Sequence, residues 1–208
     1  MNRFKLLSLG LVFGMLFVYS QNKKIYSYPM AQFNVVEAAE MLGAGNITIE
    51  GVASTKEKAS VYGIKFKDPL RKSQRAKEGT TVLLIPCTDY FYEWQKLKKR
   101  DGKKKNVIVV MSDEAFYYRK EAKTDADGKF TFTNMKPGKY YLEAVVDYKG
   151  TGAYRAKNGR IDYYDGMGYY TSSENTYETR TYRYTGKNVE SKIIEIKDDG
   201  KTVVKVKL

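Results

Sequence analysis

From Thr124 to Asp147 the chain alternates apolar and polar side chains at period two on both sides of a glycine corner. Few structures other than an antiparallel sheet accommodate that pattern. Asp127-Gly128 marks a first turn, because glycine accepts positive φ and aspartate tolerates tight turns. Phe130 and Phe132 then alternate with Thr131 and Thr133, as in a half-buried strand. Pro137-Gly138 marks a second turn. Beyond it Tyr140, Leu142, Ala144, Val146 and Tyr148 share one face, and Tyr141, Glu143, Val145 and Asp147 the other.

The pattern Thr124-Asp125-x-Asp127-Gly128-x-Phe130-x-Phe132-x-x-Met135-x-Pro137-Gly138-x-Tyr140-x-Leu142 resembles the signature of carboxypeptidase regulatory-like domains. Collagen-adhesin B-type repeats are similar but match less well. The resemblance implies an all-β fold, a seven-stranded Greek-key β-sandwich of transthyretin-like (prealbumin-like) type. It implies no activity, because such domains are attached to many unrelated proteins.

Other strands follow from the same periodicity. Ile47 to Val52 places Ile47 and Ile49 on one face and is expected to open the sandwich. Thr80 to Cys87 is apolar on both faces, as in a central strand covered on each side, with Pro86 ending its pairing. Near the end, Ile193, Ile194 and Ile196 precede the Asp199-Gly200 turn, after which Val204, Val206 and Leu208 point one way. Three insertions with helical and loop character are expected, at 53–78, 88–113 and 148–184, within a sandwich spanning 45–208. In the first, Val61 to Phe66 alternates and predicts an extra edge strand. In the second, Asp89 to Arg100 predicts a helix capped by Thr88 or Asp89, with Tyr90, Trp94 and Leu97 on one face. Val107 to Met111 predicts a short strand, and Ser112-Asp113-Glu114 a helical turn.

Residues 1–20 have the form of a signal peptide: Arg3 and Lys5, the apolar run Leu6 to Tyr19, then Val18-Tyr19-Ser20 before Gln21. The alternative is an uncleaved anchor helix. No cysteine follows the run, so no lipobox is present. These features predict a secreted, periplasmic or cell-surface protein that meets the membrane only through this segment. A lead-in, 21–44, follows, with Asn34 and Glu37 spaced as a capping box ahead of a helix from Val35 to Leu42. The whole chain carries 37 Lys and Arg against 24 Asp and Glu, a net charge of +13. Removing residues 1–20, with Arg3 and Lys5, leaves +11. An exported basic protein favours acidic partners, or carries a solvated basic surface; export argues against nucleic acid.

Histidine is absent and Cys87 is the single cysteine. That excludes Ser-His and Cys-His nucleophiles, histidine-ligated metal sites and an intrachain disulfide. The carboxylates Asp89, Glu93, Asp113 and Glu114 are the remaining candidates for a glycoside-hydrolase pair, and are more simply helix-cap and surface groups. Asp125-x-Asp127-Gly128 lacks the later ligands of a calcium loop. No catalytic residue, metal site or cofactor is expected. The remaining candidate is 148–184, where tyrosines lie among glycines with almost no aliphatic residue. It predicts a long loop or flexible hairpin. Tyr154, Tyr163, Tyr164, Tyr169, Tyr170 and Tyr177 are the candidate binding residues, for a polysaccharide or a cell-surface protein, since tyrosine joins an apolar face to a hydroxyl. The competing explanation is that the tyrosines cover the sandwich and extend its edge. The functional alternatives are an accessory subunit of a surface complex and a carboxylate hydrolase.

Overall fold

The computed structural model describes residues 24–61, 64–67 and 71–208. The expected signal peptide, 1–20, lies outside the described residues, as do 62–63 and 68–70 within the first insertion. In chain order the elements are Ile25–Ser27 (β1), Val35–Leu42 (α1), Ile47–Val52 (β2), Ser54–Thr55 (β3), Lys58–Val61 (β4), Ile64–Lys67 (β5), Gln74–Arg75 (β6), Thr81–Pro86 (β7), Asp89–Asp101 (α2), Val107–Val109 (β8), Asp113–Tyr117 (α3), Lys120–Lys123 (β9), Lys129–Met135 (β10), Gly138–Tyr164 (β11), Tyr170–Ile196 (β12) and Val203–Lys207 (β13).

Seven strands make the sandwich. One sheet has the order β10-β2-β13, with β2 antiparallel to β10 and parallel to β13. The other is antiparallel throughout, in the order β12-β11-β7-β9. The chain crosses between sheets from β2 to β7, from β9 to β10, from β10 to β11 and from β12 to β13, a Greek-key path. The expected faces close on each other: Ile47, Ile49, Phe130, Phe132 and Met135 meet Val82, Leu84, Tyr140, Leu142, Val146, Ile194 and Ile196. Phe130 stands opposite Gly51, and its ring occupies the space a β-carbon there would take. The corner before β10 is built by Asp125, whose Oδ1 accepts from the N–H groups of Asp127 (2.9 Å) and Lys129 (2.8 Å). Gly128 completes it at φ +71, a conformation L side chains avoid.

β7 is covered on both sides, as its sequence predicts. Its outer face, with Cys87 and Tyr141, lies under α2 through Ile85, Phe91 and Trp94. Thr88 caps that helix by accepting from Phe91 N–H. The helix buries Tyr90, Phe91 and Trp94 and leaves Leu97 partly exposed, and Phe91 packs 5.0 Å from Tyr141. The expected α1 is present with Asn34 as its cap. Tyr140 ties the helix end to the sandwich by donating its hydroxyl to Met41 O at 2.8 Å.

The structure gives each of the three insertions a definite form. In the first, the expected edge strand over Val61 to Phe66 is corrected: its described residues belong to β4 and β5, which pair with each other and, among the described residues, with no sandwich edge. β8 pairs in parallel with β1, which the lead-in supplies, so the insertion forms a separate two-stranded sheet. The third concerns 148–184. These residues continue β11 and β12 without a break, and the two strands, 27 residues each, stay paired to the tip. Local side-chain alternation at 148–178 is poor, but the register set by the sandwich carries outward, since ladder bonds need only backbone.

Candidate functional site

Beyond Tyr148 the hairpin leaves the sandwich as a two-stranded ribbon. Sixteen residues of β11, Lys149 to Tyr164, correspond to roughly 50 Å of strand. Directly paired residues share a face, so the ribbon's faces follow from the register. Tyr140, Leu142, Ala144, Val146 and Tyr148 point into the sandwich, and the same side of β11 then presents Gly150, Gly152 and Tyr154. Opposite them on β12 stand Gly186, Tyr184, Tyr182 and Arg180. The inner face of the sandwich therefore runs on past the end of its partner sheet.

Two things happen along that continuation. First, the segment around β3 covers it with polar groups. Asn188 donates to Thr55 Oγ1 (2.8 Å) and to Lys56 O (2.9 Å), and Thr55 donates to Glu190. Glu57, also buried, accepts at Oε1 from the Tyr184 hydroxyl (3.0 Å) and from Thr151 N–H (3.3 Å). Burial and that carboxylate both raise the Tyr184 phenol above its ordinary pKa. Second, each glycine is crossed by a tyrosine. Tyr148 faces Gly186, Tyr184 faces Gly150 and Tyr182 faces Gly152, and in every pair the ring fills the place of the missing β-carbon. The result is a zigzag row, Tyr148, Tyr184, Tyr182, Tyr154, with successive ring centroids 6.2, 6.1 and 6.2 Å apart. Tyr148 is buried, while Tyr182 and Tyr154 are each 51% exposed.

The structure disperses the six predicted tyrosines. Tyr154 is the outer end of the row. Tyr163 lies farther out, its hydroxyl 3.4 Å from Glu174. Tyr164 and Tyr170 pair edge to face at 6.1 Å beside the tip. Tyr169 belongs to the tip turn, where Asp165 Oδ1 accepts from the N–H groups of Met167 and Tyr169, both at 2.9 Å. Tyr177 is on the opposite face, paired with Lys157, with the Arg155 guanidinium 5.0 Å from its ring centre. Sequence reasoning missed Tyr148, Tyr182 and Tyr184 as members of the row, and Glu57 as its anchor. A usable signal was present: Gly150-x-Gly152 and Tyr182-x-Tyr184 have the same period and fall opposite each other once the strands pair.

Where the row meets the sandwich there is a cleft of about 820 Å³ between the ribbon and Glu57, Arg71, Lys72 and Gln74. Gln74 closes its edge by bonding the backbone of Lys149 at both N–H (2.8 Å) and C=O (2.7 Å). Of the carboxylate candidates, Glu93 accepts from Met30 and Ala31 N–H (3.0 and 2.6 Å), bonds that hold its carboxyl below the usual range and tie the lead-in to α2. Asp89 and the pair Asp113 and Glu114 occupy the first turns of α2 and α3, where acids suit the helix dipole.

No family model and no curated protein matches this chain. Among solved structures, the chain is similar to a Pseudomonas aeruginosa protein described as a "putative carbohydrate binding protein", at 20% sequence identity and a TM-score of 0.51. The likeness covers 86% of this chain and 97% of the other, and shows a shared sheet-rich fold.

Proposed function

We propose that this chain is a non-catalytic glycan-binding module of carboxypeptidase regulatory-like type, exported to the periplasm, the cell surface or the medium. One observation carries the binding assignment: the inner face of the sandwich continues as a row of tyrosines that, among the described residues, has no second sheet over it. An uncovered face of that kind is ordinarily polar. Here it offers rings with an apolar face to stack on a sugar and a hydroxyl to hydrogen-bond it. The description of the Pseudomonas protein as carbohydrate binding supports the same assignment. Export rests on Arg3, Lys5 and the apolar run to Tyr19. The family assignment rests on the Thr124 to Leu142 pattern.

Binding to a panel of immobilised neutral and acidic polysaccharides tests the proposal. Tyr154→Ala with Tyr182→Ala removes two exposed rings. At more than about 1 kcal/mol per interface tyrosine, the loss is roughly 30-fold or more. The double Phe variant keeps the rings and most of the affinity. Full binding by the Ala variant, or no retention of the natural chain by any polysaccharide, refutes the proposal. A second assignment, accessory subunit of a surface complex, is favoured by the outer edge of β12, which ends its sheet and presents backbone for strand addition. Co-purification with one stable partner, without glycan binding, would select it.

A further inference from the structure

The end of α2 and the turn after it form a strongly basic surface. Residues 96–105 hold seven cations against one acid, Asp101, and so supply a net +6 of the chain's +13. Asp101 is engaged within the patch. Its carboxylate accepts from Arg100 at 2.8 Å and lies 2.7 Å from Lys104, and these bonds hold it below the usual carboxylate range. Lys98 lies over the Trp94 ring and 3.6 Å from Glu143. Lys99, Lys103 and Lys105 are exposed, and among the described residues no carboxylate pairs with them. Cations crowded in this way concentrate positive potential.

The fold sets this patch beside β1. That strand runs parallel to β8 with Ile25 opposite Val107, and the Ile25 N–H donates to Asn106 O at 2.7 Å. Lys24, also exposed, therefore stands next to the turn that carries Lys103 and Lys105. Ile25, Tyr26 and Tyr28 follow it, each more than half exposed. In the sequence only five residues separate the apolar run Leu6 to Tyr19 from β1, a link that spans at most roughly 20 Å.

We infer that this end of the molecule docks on a membrane surface of anionic lipid headgroups. The inference is independent of the glycan assignment, and it extends the expected membrane contact beyond the apolar run. Lys24, Lys99, Lys103 and Lys105 meet the headgroups, while Ile25, Tyr26 and Tyr28 supply the apolar and aromatic groups that settle at a bilayer boundary. An acidic polymer would match the cations alone. The exposed apolar side chains, and the run that leads to them, select a bilayer.

The test adds the full chain to a mixture of separable vesicles, phosphatidylcholine alone and phosphatidylcholine with phosphatidylglycerol, and measures its distribution between them. The apolar run enters both alike, so the ratio reads the patch. The natural chain should favour the anionic vesicles, and high salt should erase the preference. A cation near an anionic membrane contributes about fivefold, so Lys99→Gln, Lys103→Gln and Lys105→Gln together should reduce the preference by up to roughly hundredfold. A control variant, Lys197→Gln, Lys205→Gln and Lys207→Gln, has the same net charge and alters three exposed positions at the closing hairpin. It should distribute as the natural chain does. An even distribution of the natural chain, or equal effects of the two variants, overturns the inference. So does binding to dextran sulfate that only the patch variant loses, with no preference between vesicles, which would assign the patch to an acidic polymer.

Discussion

Gly150 and Gly152 sit two residues apart under two tyrosines, yet replacing each by alanine should have different consequences. At Gly150 a β-carbon would lie 2.5 Å from Tyr184 Cζ and 2.6 Å from Glu57 Oε1. Neither neighbour is free to retreat, because Glu57 is 6% exposed and its carboxylate holds the Tyr184 hydroxyl. Relief requires breaking that hydrogen bond to a charged acceptor, about 1.5–3 kcal/mol. The gain of about 0.5–1 kcal/mol from replacing glycine in a strand offsets part of it. The net loss is about 1–2 kcal/mol, or a melting temperature lower by about 2–8 °C for a chain of this size. At Gly152 the clash is with Tyr182, which is 51% exposed and can swing into water. Its ring contacts are worth about 0.5–1.5 kcal/mol, nearly cancelled by the same backbone gain. Gly152→Ala should therefore melt within about 2 °C of the natural chain by circular dichroism, and should still bind glycan more weakly because the row is broken. Equal melting temperatures for the two variants, or a greater loss at Gly152, would refute the account of how the rings are fastened.

Two further outcomes are expected. Phe132→Ala removes a ring that is 4% exposed and 5.9 Å from Phe130, and should cost about 3–5 kcal/mol, lowering the melting temperature by about 6–20 °C; an unchanged transition would show that the ring is not core. Burial pushes the Cys87 thiol from 9.0 up to about 12, with Tyr92 and Lys139 opposing the shift only in part. Since the folded value lies above the unfolded one, the thiol's contribution to stability is complete below pH 9 and is lost as pH rises toward 12. At pH 8 the folded chain should resist iodoacetamide under conditions that alkylate the urea-unfolded chain, and rapid alkylation of the folded form would contradict this placement.

The sandwich was legible because its strands obey period two. The alternation of Phe130 with Phe132, of Tyr140 through Tyr148, and of Ile47 with Ile49 assigns faces that the structure buries. Helix α1 was legible through Asn34 and Glu37, and α2 through Thr88. The ribbon was not. In a half-buried strand the core selects apolar residues on one side; past Tyr148 no second sheet makes that selection, so hydrophobic periodicity fades while backbone pairing persists. The row was hidden for a related reason. Its members lie on two different strands, and only the register, continued from Tyr140 opposite Ile194, brings Gly150 to Tyr184, 34 residues on. Phe91 was missed because helical spacing marks a face without saying how much of the helix the sheet beneath it covers.

On the proposed glycan-binding role, the tyrosine row has two duties that constrain each other. A two-stranded ribbon in water is marginal unless side chains cross-link its strands. Here one face is fastened by Tyr184 over Gly150 and Tyr182 over Gly152, and the other by Arg155 over Tyr177. A tyrosine packed across a glycine keeps one ring face against backbone and turns the rest outward. The residues that hold the ladder together are thus also those left in reach of a ligand. Leucine or valine at 182 and 184 would pack the ribbon as a core does but would offer no hydroxyl for Glu57 and no ring for a sugar. A β-carbon at 150 or 152 would lift the rings off the strand. Glycine and tyrosine at these paired positions satisfy both duties, which accounts for a segment that has almost no aliphatic residues and still forms regular structure.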